Sequence, residues 1–177
     1  MKRETIPTKE AKYMDKAFPA LVWIMNILRR HNVPFLISGG FAAKLYGSPR
    51  ELNDIDIDMP EENFNDILDD VRGYIIFGPD QYKDGKWDLY LMTLNYRGQE
   101  IDIGGAMWGK MSNKARTEWI HVPSDFSRMN IIEFRGLQLP VISQKNLIAY
   151  KSHLDGSHQQ VDINAAVLSL TKTCQTI

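Results

Sequence analysis

The sequence predicts an α/β (α+β) domain, built as a mixed β-sheet flanked by helices, with a small helical addition at the C-terminus. Three observations predict it. Asp54-Ile55-Asp56-Ile57-Asp58 alternates strictly between charged and apolar residues, as a strand with one buried face does. Residues 87–96, WDLYLMTLNY, lead through Arg97-Gly98 into EIDIGG at 100–105, which reads as a long hairpin. Phe64, Ile67, Leu68 and Val71 recur at i, i+3, i+4 and i+7, the spacing of an amphipathic helix lying over a sheet face.

The remaining elements follow in chain order. Ala20, Leu21, Ile24, Ile27 and Leu28 stand at helical spacing after Pro19, so the first helix is expected to begin at Pro19 and end near Asn32, before Val33-Pro34. Phe35, Leu36 and Ile37 form a short apolar strand running into Ser38-Gly39-Gly40, and FAAKLY (41–46) is a short helix closed by Gly47. The alternating strand comes after a polar loop, Ser48 to Asn53, and Pro60 stops it. The helix through Val71 ends before Gly73, with Asp66, Asp69 and Asp70 on its solvated side.

Tyr74 to Phe77 reads as a further strand ahead of the long hairpin. Residues 107–130 hold two tryptophans, His121 and several basic residues without a clean period, and are expected to form a helix followed by a loop. IIEFRGLQLPVI (131–142) predicts a second hairpin turning at Arg135-Gly136. A helix over QKNLIAYKSHL and, beyond Gly156, another through DINAAVLSL complete the chain. With no internal repeat or linker-like run, residues 1–177 are expected to form a single domain, its core at about 18–142 and its C-terminal helical pair at about 143–172.

Composition excludes several function classes. A chain of 177 residues, 44% hydrophobic and 24% charged, is long enough for one well-packed core. A net charge of -1 and a pI near 6.4 argue against a surface built throughout for nucleic-acid backbone, while leaving room for a local basic groove. The single cysteine, Cys174, cannot form an internal disulfide, and no Cys/His cluster has zinc-ligand spacing, so a cytoplasmic location is expected. The start, MKRETIPTKEAKYMDKAF, has no apolar stretch before its acidic residues, and no later run approaches about 18 apolar residues, so neither secretion nor membrane spanning is expected.

Three aspartates on one strand face stand about 7 Å apart and raise one another's pKa, a penalty that a divalent cation removes. The alternation alone also suits a half-solvated strand with Asp toward water and Ile toward the core. Ser38-Gly39-Gly40 narrows the choice. It sits at a strand end opening a helix, about fifteen residues before the acidic strand, where backbone N–H groups can receive phosphate and glycine permits close approach. Asp102, flanked by Ile101 and Ile103, is a third carboxylate in a predicted strand, an unfavourable place for a charge unless that face opens on a site. A glycine turn, an Asp-x-Asp strand and a later strand Asp in this order favour a site for a divalent cation and phosphate over a half-solvated strand.

The stretch GGFAAKLYGSPRELNDIDID, with Asp102 downstream, resembles the signature of the DNA polymerase β-like nucleotidyltransferase superfamily, and is close to the aminoglycoside and lincosamide nucleotidyltransferases and to small bacterial proteins of that fold. The resemblance is clearest over about residues 35–105. More loosely, VISQKNLIAYKSHLDG resembles the family's lysine-bearing helix, and Arg50 matches a common basic position of the antibiotic-modifying branch. It implies a nucleotidyltransferase fold and transfer of a nucleoside monophosphate from an NTP, with ATP expected, to a hydroxyl of an unidentified acceptor, which could be a small molecule, an RNA or a protein. It implies that Asp54 and Asp56 coordinate two Mg2+ ions, and that Asp102 completes one metal site and serves as general base. Ser38, Gly39 and Gly40 would cradle the β- and γ-phosphates, with Arg50 and Lys151 as candidate cations for the triphosphate.

Two departures bear on the acceptor and the nucleotide. No acceptor-binding carboxylates can be pointed to in residues 107–130, and the Arg-x-Lys-Asp run of related families is replaced by His158-Gln159-Gln160. Asp58 lies on the acidic face but immediately before Met59-Pro60, where solvent is expected, and is given no role.

The alternative function is a non-catalytic binding protein on the same fold, a toxin-antitoxin partner or a nucleotide sensor; retention of all three carboxylates disfavours it. A calcium loop beginning at Asp54 fails at its sixth position, Met59, and at its twelfth, Asn65. A phosphatase nucleophile would follow an apolar strand, whereas Arg50-Glu51-Leu52-Asn53 is mostly polar. Tryptophans and tyrosines between 87 and 119 suit core burial better than an acceptor pocket.

Overall fold

The computed structural model describes residues 9–174, with side chains over 16–171; Cys174 and most of the N-terminal stretch read above for a leader lie outside the described side chains. One sheet organises the molecule. Its nine strands are β1 (Leu36–Ile37), β2 (Asp54–Met59), β3 (Ile75–Lys83), β4 (Trp87–Tyr96), β5 (Gln99–Gly105), β6 (Lys110–Ser112), β7 (Trp119–His121), β8 (Met129–Phe134) and β9 (Leu137–Ile142). They run in the order β7-β6-β4-β5-β2-β1-β9-β8, with β3 on the other edge of β4. The pair β2/β5 is parallel, as is β1/β9; the other pairs are antiparallel, so the sheet is mixed as predicted.

Among the described residues, five α-helices surround it: α1 (Lys9–Arg30), α2 (Gly39–Leu45), α3 (Phe64–Val71), α4 (Gln144–Ser152) and α5 (Ser157–Cys174). The alternation in β2 and β5 does what its period requires. Ile55, Ile57, Ile101 and Ile103 are all buried in the core that includes Leu21, Ile24, Met25 and Leu28 of α1, and the charged residues between them occupy the opposite face. Trp23 fastens α1 to the sheet by stacking on Tyr96 at a centroid distance of 4.4 Å and meeting Tyr74 edge-on at 4.7 Å. Tyr90 meets Phe64 of α3 at 5.0 Å, and Tyr90 and Tyr96 pack against the core as expected. Trp108 and Trp119 are instead exposed and Trp87 lines the cleft described below, because the short strands around them leave that side of the sheet uncovered. Both Arg-Gly turns have positive φ at both residues, 52° and 80° at Arg97-Gly98 and 49° and 82° at Arg135-Gly136, which suits the twist of a two-residue hairpin.

The structure corrects three sequence expectations about elements. The first helix begins at Lys9 rather than at Pro19, which lies inside it. Ala17 is buried on the near side of Pro19 and Ala20 and Leu21 on the far side, so packing against the sheet outweighs the one backbone hydrogen bond that proline removes. The strand expected over Tyr74 to Phe77 runs instead from Ile75 to Lys83, with shifts of register against β4 on either side of Phe77. Residues 107–130 form no long helix. They contain β6, β7, a single 3-10 turn at Phe126–Arg128 and the start of β8. Strands of three residues are too short to carry a period, and they are held by pairing to the end of β4, where Trp87 and Asp88 face Met111 and Lys110.

Candidate active site

Parallel pairing of β2 with β5 builds the site. The register sets Asp54 beside Glu100, Asp56 beside Asp102 and Asp58 beside Gly104, so one sheet face presents five carboxylates in two rows. Oxygens of Asp54, Glu100 and Asp102 lie within 4.8 Å of one another, a spacing that could hold a metal ion. Sequence reasoning chose Asp54, Asp56 and Asp102; the structure adds Glu100 and turns one oxygen of Asp56 elsewhere. Asp56 Oδ2 accepts a hydrogen bond from the Gly40 amide at 2.8 Å.

The electrostatics fit a cluster that asks for positive charge. Asp56 is pushed up to about 7, first by burial and then by the charge of Asp54, with Asp102 adding and the Gly40 amide and Lys151 opposing. Burial also raises Asp102, with Asp54 and Glu100 contributing, against a 2.6 Å hydrogen bond donated by Thr93 Oγ1. A carboxyl raised on folding contributes stability below its ordinary range and loses that contribution as pH climbs toward about 7. In EDTA, the melting temperature of the wild type should therefore fall between about pH 4 and pH 8 more steeply than that of Asp56→Asn, a difference of a few kcal/mol at the upper end. Parallel curves for the two proteins would contradict this assignment.

The glycine turn is tied directly to the acidic strand. Gly39 has φ +57°, and a Cβ built on it would stand 1.8 Å from Asp56 Oδ2, so the turn closes over the carboxylate only with glycine there. The Gly39 amide donates to the Tyr150 hydroxyl, whose pKa is held well above its usual value by burial and by Asp56 and Asp58. Ser38 is buried, and its hydroxyl donates to Asp58 Oδ1 at 2.8 Å.

Asp58 is a correction. The sequence placed it at solvent with no role, whereas its carboxyl is held in the protein between Ser38 and Ser124, whose Oγ donates to Oδ2 at 2.6 Å. Burial raises its pKa while both hydroxyls oppose. It clamps the glycine turn to the loop after β7, a loop whose folding over the strand end Met59-Pro60 could not foretell.

Arg50 and Lys151, predicted on separate grounds, converge on one residue that sequence reasoning passed over. Asp162 of α5 is fully buried and pairs with Arg50 Nη1 at 2.5 Å and Lys151 Nζ at 3.0 Å. All eight predicted site residues line or border one cleft of about 890 Å3, which Tyr150, His158 and Gln159 also reach. Its far wall is apolar, from Trp87, Leu89, Leu91, Met111, Ile120 and Val122, and half of that wall comes from the segment least readable in sequence. Trp108, by contrast, is 73% exposed.

The model of the aminoglycoside-2''-adenylyltransferase family matches residues 20–165, spanning the glycine turn, both acidic strands and Asp162. The chain belongs to this family. As an aminoglycoside-2''-adenylyltransferase family member it is a nucleotidyltransferase and a nucleotide-binding protein. Solved structures agree in fold. A provisionally described nucleotidyltransferase of Thermotoga maritima has 21% identity and a TM-score of 0.63 over 92% of this chain and 95% of its own. ANT(2'')-Ia in complex with adenylyl-2''-tobramycin has 15% identity and a TM-score of 0.60 over 91% and 94%. The lincosamide adenylyltransferase LnuA with lincomycin bound has 15% identity and a TM-score of 0.55 over 92% and 98%. Among curated proteins, no sequence matches. No helix among the described residues of this family member is long and apolar enough to cross a membrane.

Proposed function

We propose that this protein transfers the nucleoside monophosphate of an NTP, ATP first among them, to a hydroxyl of a small-molecule acceptor in a Mg2+-dependent reaction. The observation that carries the reading is the in-register pairing of Asp54 and Asp56 with Glu100 and Asp102 directly beneath a glycine turn. The donor set suits the ion: hard carboxylate oxygens, three of them within 4.8 Å, beside a carboxyl whose pKa is raised for want of positive charge. Asp54, Asp56 and Asp102 would hold magnesium, with Glu100 next to Asp54. When bound, the ions supply compensation for charge developing at the attacking and leaving oxygens.

The chain's own groups account for the rest. Asp102, oriented by Thr93, takes the proton of the acceptor hydroxyl as its oxygen bonds to the α-phosphorus and the bond to pyrophosphate breaks. Ser38, Gly39 and Gly40 border the β- and γ-phosphates, and Arg50 and Lys151 offset their charge. The apolar wall around Trp87 and Ile120 receives the acceptor and excludes water. We read the chain as one domain, because Tyr150 of α4 reaches the glycine turn and Asp162 of α5 the loop behind it.

ANT(2'')-Ia carries an adenylylated aminoglycoside and LnuA a lincosamide, which makes those two classes the first acceptors to try. Pyrophosphate release would be followed with each NTP against a panel of both, in Mg2+ and in EDTA. Release that needs both Mg2+ and an acceptor is the expected result. Release unaffected by EDTA would reject the metal-dependent mechanism.

A further inference from the structure

The cleft's cationic side is organised from behind by a buried carboxylate. Asp162 is fully buried on α5, and its two oxygens are used differently. Oδ1 accepts from Ser48 Oγ at 2.7 Å, while Oδ2 accepts from Arg50 Nη1 at 2.5 Å and forms an ion pair with Lys151 Nζ at 3.0 Å. Gln159, one turn earlier on the same helix, accepts from Lys151 Nζ at 3.0 Å.

Two like charges do not gather on one oxygen of their own accord, since each repels the other and burial adds a desolvation cost. Lys151 is costly in this respect, with a side chain only 5% exposed. The carboxylate fixes both cations in place, and the two cations outnumber it. Both line the cleft beside the glycine turn, and the Lys151 charge is felt at Asp56. The surplus positive charge therefore faces the ground where a polyphosphate would lie.

We infer that Asp162 is a positioning residue for the nucleotide's triphosphate: it touches neither nucleotide nor metal, and acts by holding Arg50 and Lys151 where the β- and γ-phosphates need them. The inference rests on the proposed nucleotidyl transfer and goes beyond it by making α5 part of nucleotide recognition. The C-terminal helix is then a component of the site, joined to the loop behind the glycine turn through Ser48 and Arg50.

The test is calorimetric titration of ATP and of AMP, both with Mg2+, into the wild type and Asp162→Asn, with melting curves to compare folding. Asparagine keeps the shape and loses the charge that gathers the cations. ATP should bind the variant about tenfold more weakly, while AMP, which lacks the β- and γ-phosphates, should stay within about twofold. A folded variant with wild-type ATP affinity, or one losing ATP and AMP equally, would overturn the inference. Should Asp162→Asn fail to fold, Ser48→Ala removes one tether and leaves every charge in place: a selective loss of ATP affinity of about threefold is expected, and no loss would overturn the inference. If the wild type itself binds no triphosphate, the proposed function fails first and the two failures are told apart.

Discussion

Replacing Asp54 and Asp56 together by asparagine is expected to lower nucleotide turnover by at least about 1,000-fold while leaving the fold intact. Both residues sit on β2, between Ile55 and Ile57, which stay buried and keep the strand in register with β5. Asparagine can still accept the Gly40 hydrogen bond at position 56, so the glycine turn keeps its anchor. What is lost is negative charge, the property a magnesium site depends on. Without metal the double variant should melt higher than the wild type, because the repulsion and desolvation that raise Asp56 to about 7 are removed. An activity assay paired with melting curves in EDTA checks both halves. Full activity in the variant would reject the proposed site, and a large fall in melting temperature would mean the carboxylates serve the fold.

The second large effect is expected at Gly39→Ala. A methyl group there would meet Asp56 Oδ2 at 1.8 Å and Asp56 Cγ at 2.2 Å, at a backbone φ of +57°. Left-handed backbone alone costs a non-glycine residue about 1–2 kcal/mol, and a contact that close cannot be relieved without moving Asp56 or the turn. Either movement breaks the Gly40 to Asp56 hydrogen bond that joins the phosphate turn to the acidic strand. Turnover should drop by about 100-fold or more even where the protein folds. Gly40→Ala supplies the contrast, since its methyl group would meet only Leu52 Cδ2 at 3.3 Å and Asp56 Oδ2 at 3.9 Å. Kinetics and melting curves for the two variants should therefore separate widely; equal effects would contradict the account of the turn.

The parts legible in the sequence were those with a clear period or a local turn signal. Asp54 to Asp58, the α3 spacing and the two Arg-Gly hairpins follow from side-chain alternation and backbone chemistry confined to a few residues. The signal that finds Asp102 also contains Glu100, since Glu100-Ile101-Asp102-Ile103 repeats the alternation of β2; parallel pairing in register is what brings it beside Asp54. Asp58 and Asp162 were illegible for a different reason. Each is satisfied by a partner far away in the chain, Asp58 by Ser124 and Asp162 by Ser48 and Arg50, and a lone Asp at a strand end or in a helix otherwise reads as solvated. Residues 107–130 carry no period because β6 and β7 are three residues each, yet Ile120, Val122 and Ser124 from that stretch shape the cleft.

The central claim is that the acidic face and the glycine turn bind a nucleoside triphosphate together with magnesium. Calorimetric titration of each of the four NTPs into the wild-type protein, once with Mg2+ and once with EDTA, tests it most directly. The account predicts saturable binding of at least one NTP, ATP first among them, that disappears in EDTA. No binding of any NTP under either condition, or binding of equal strength in EDTA, would contradict it.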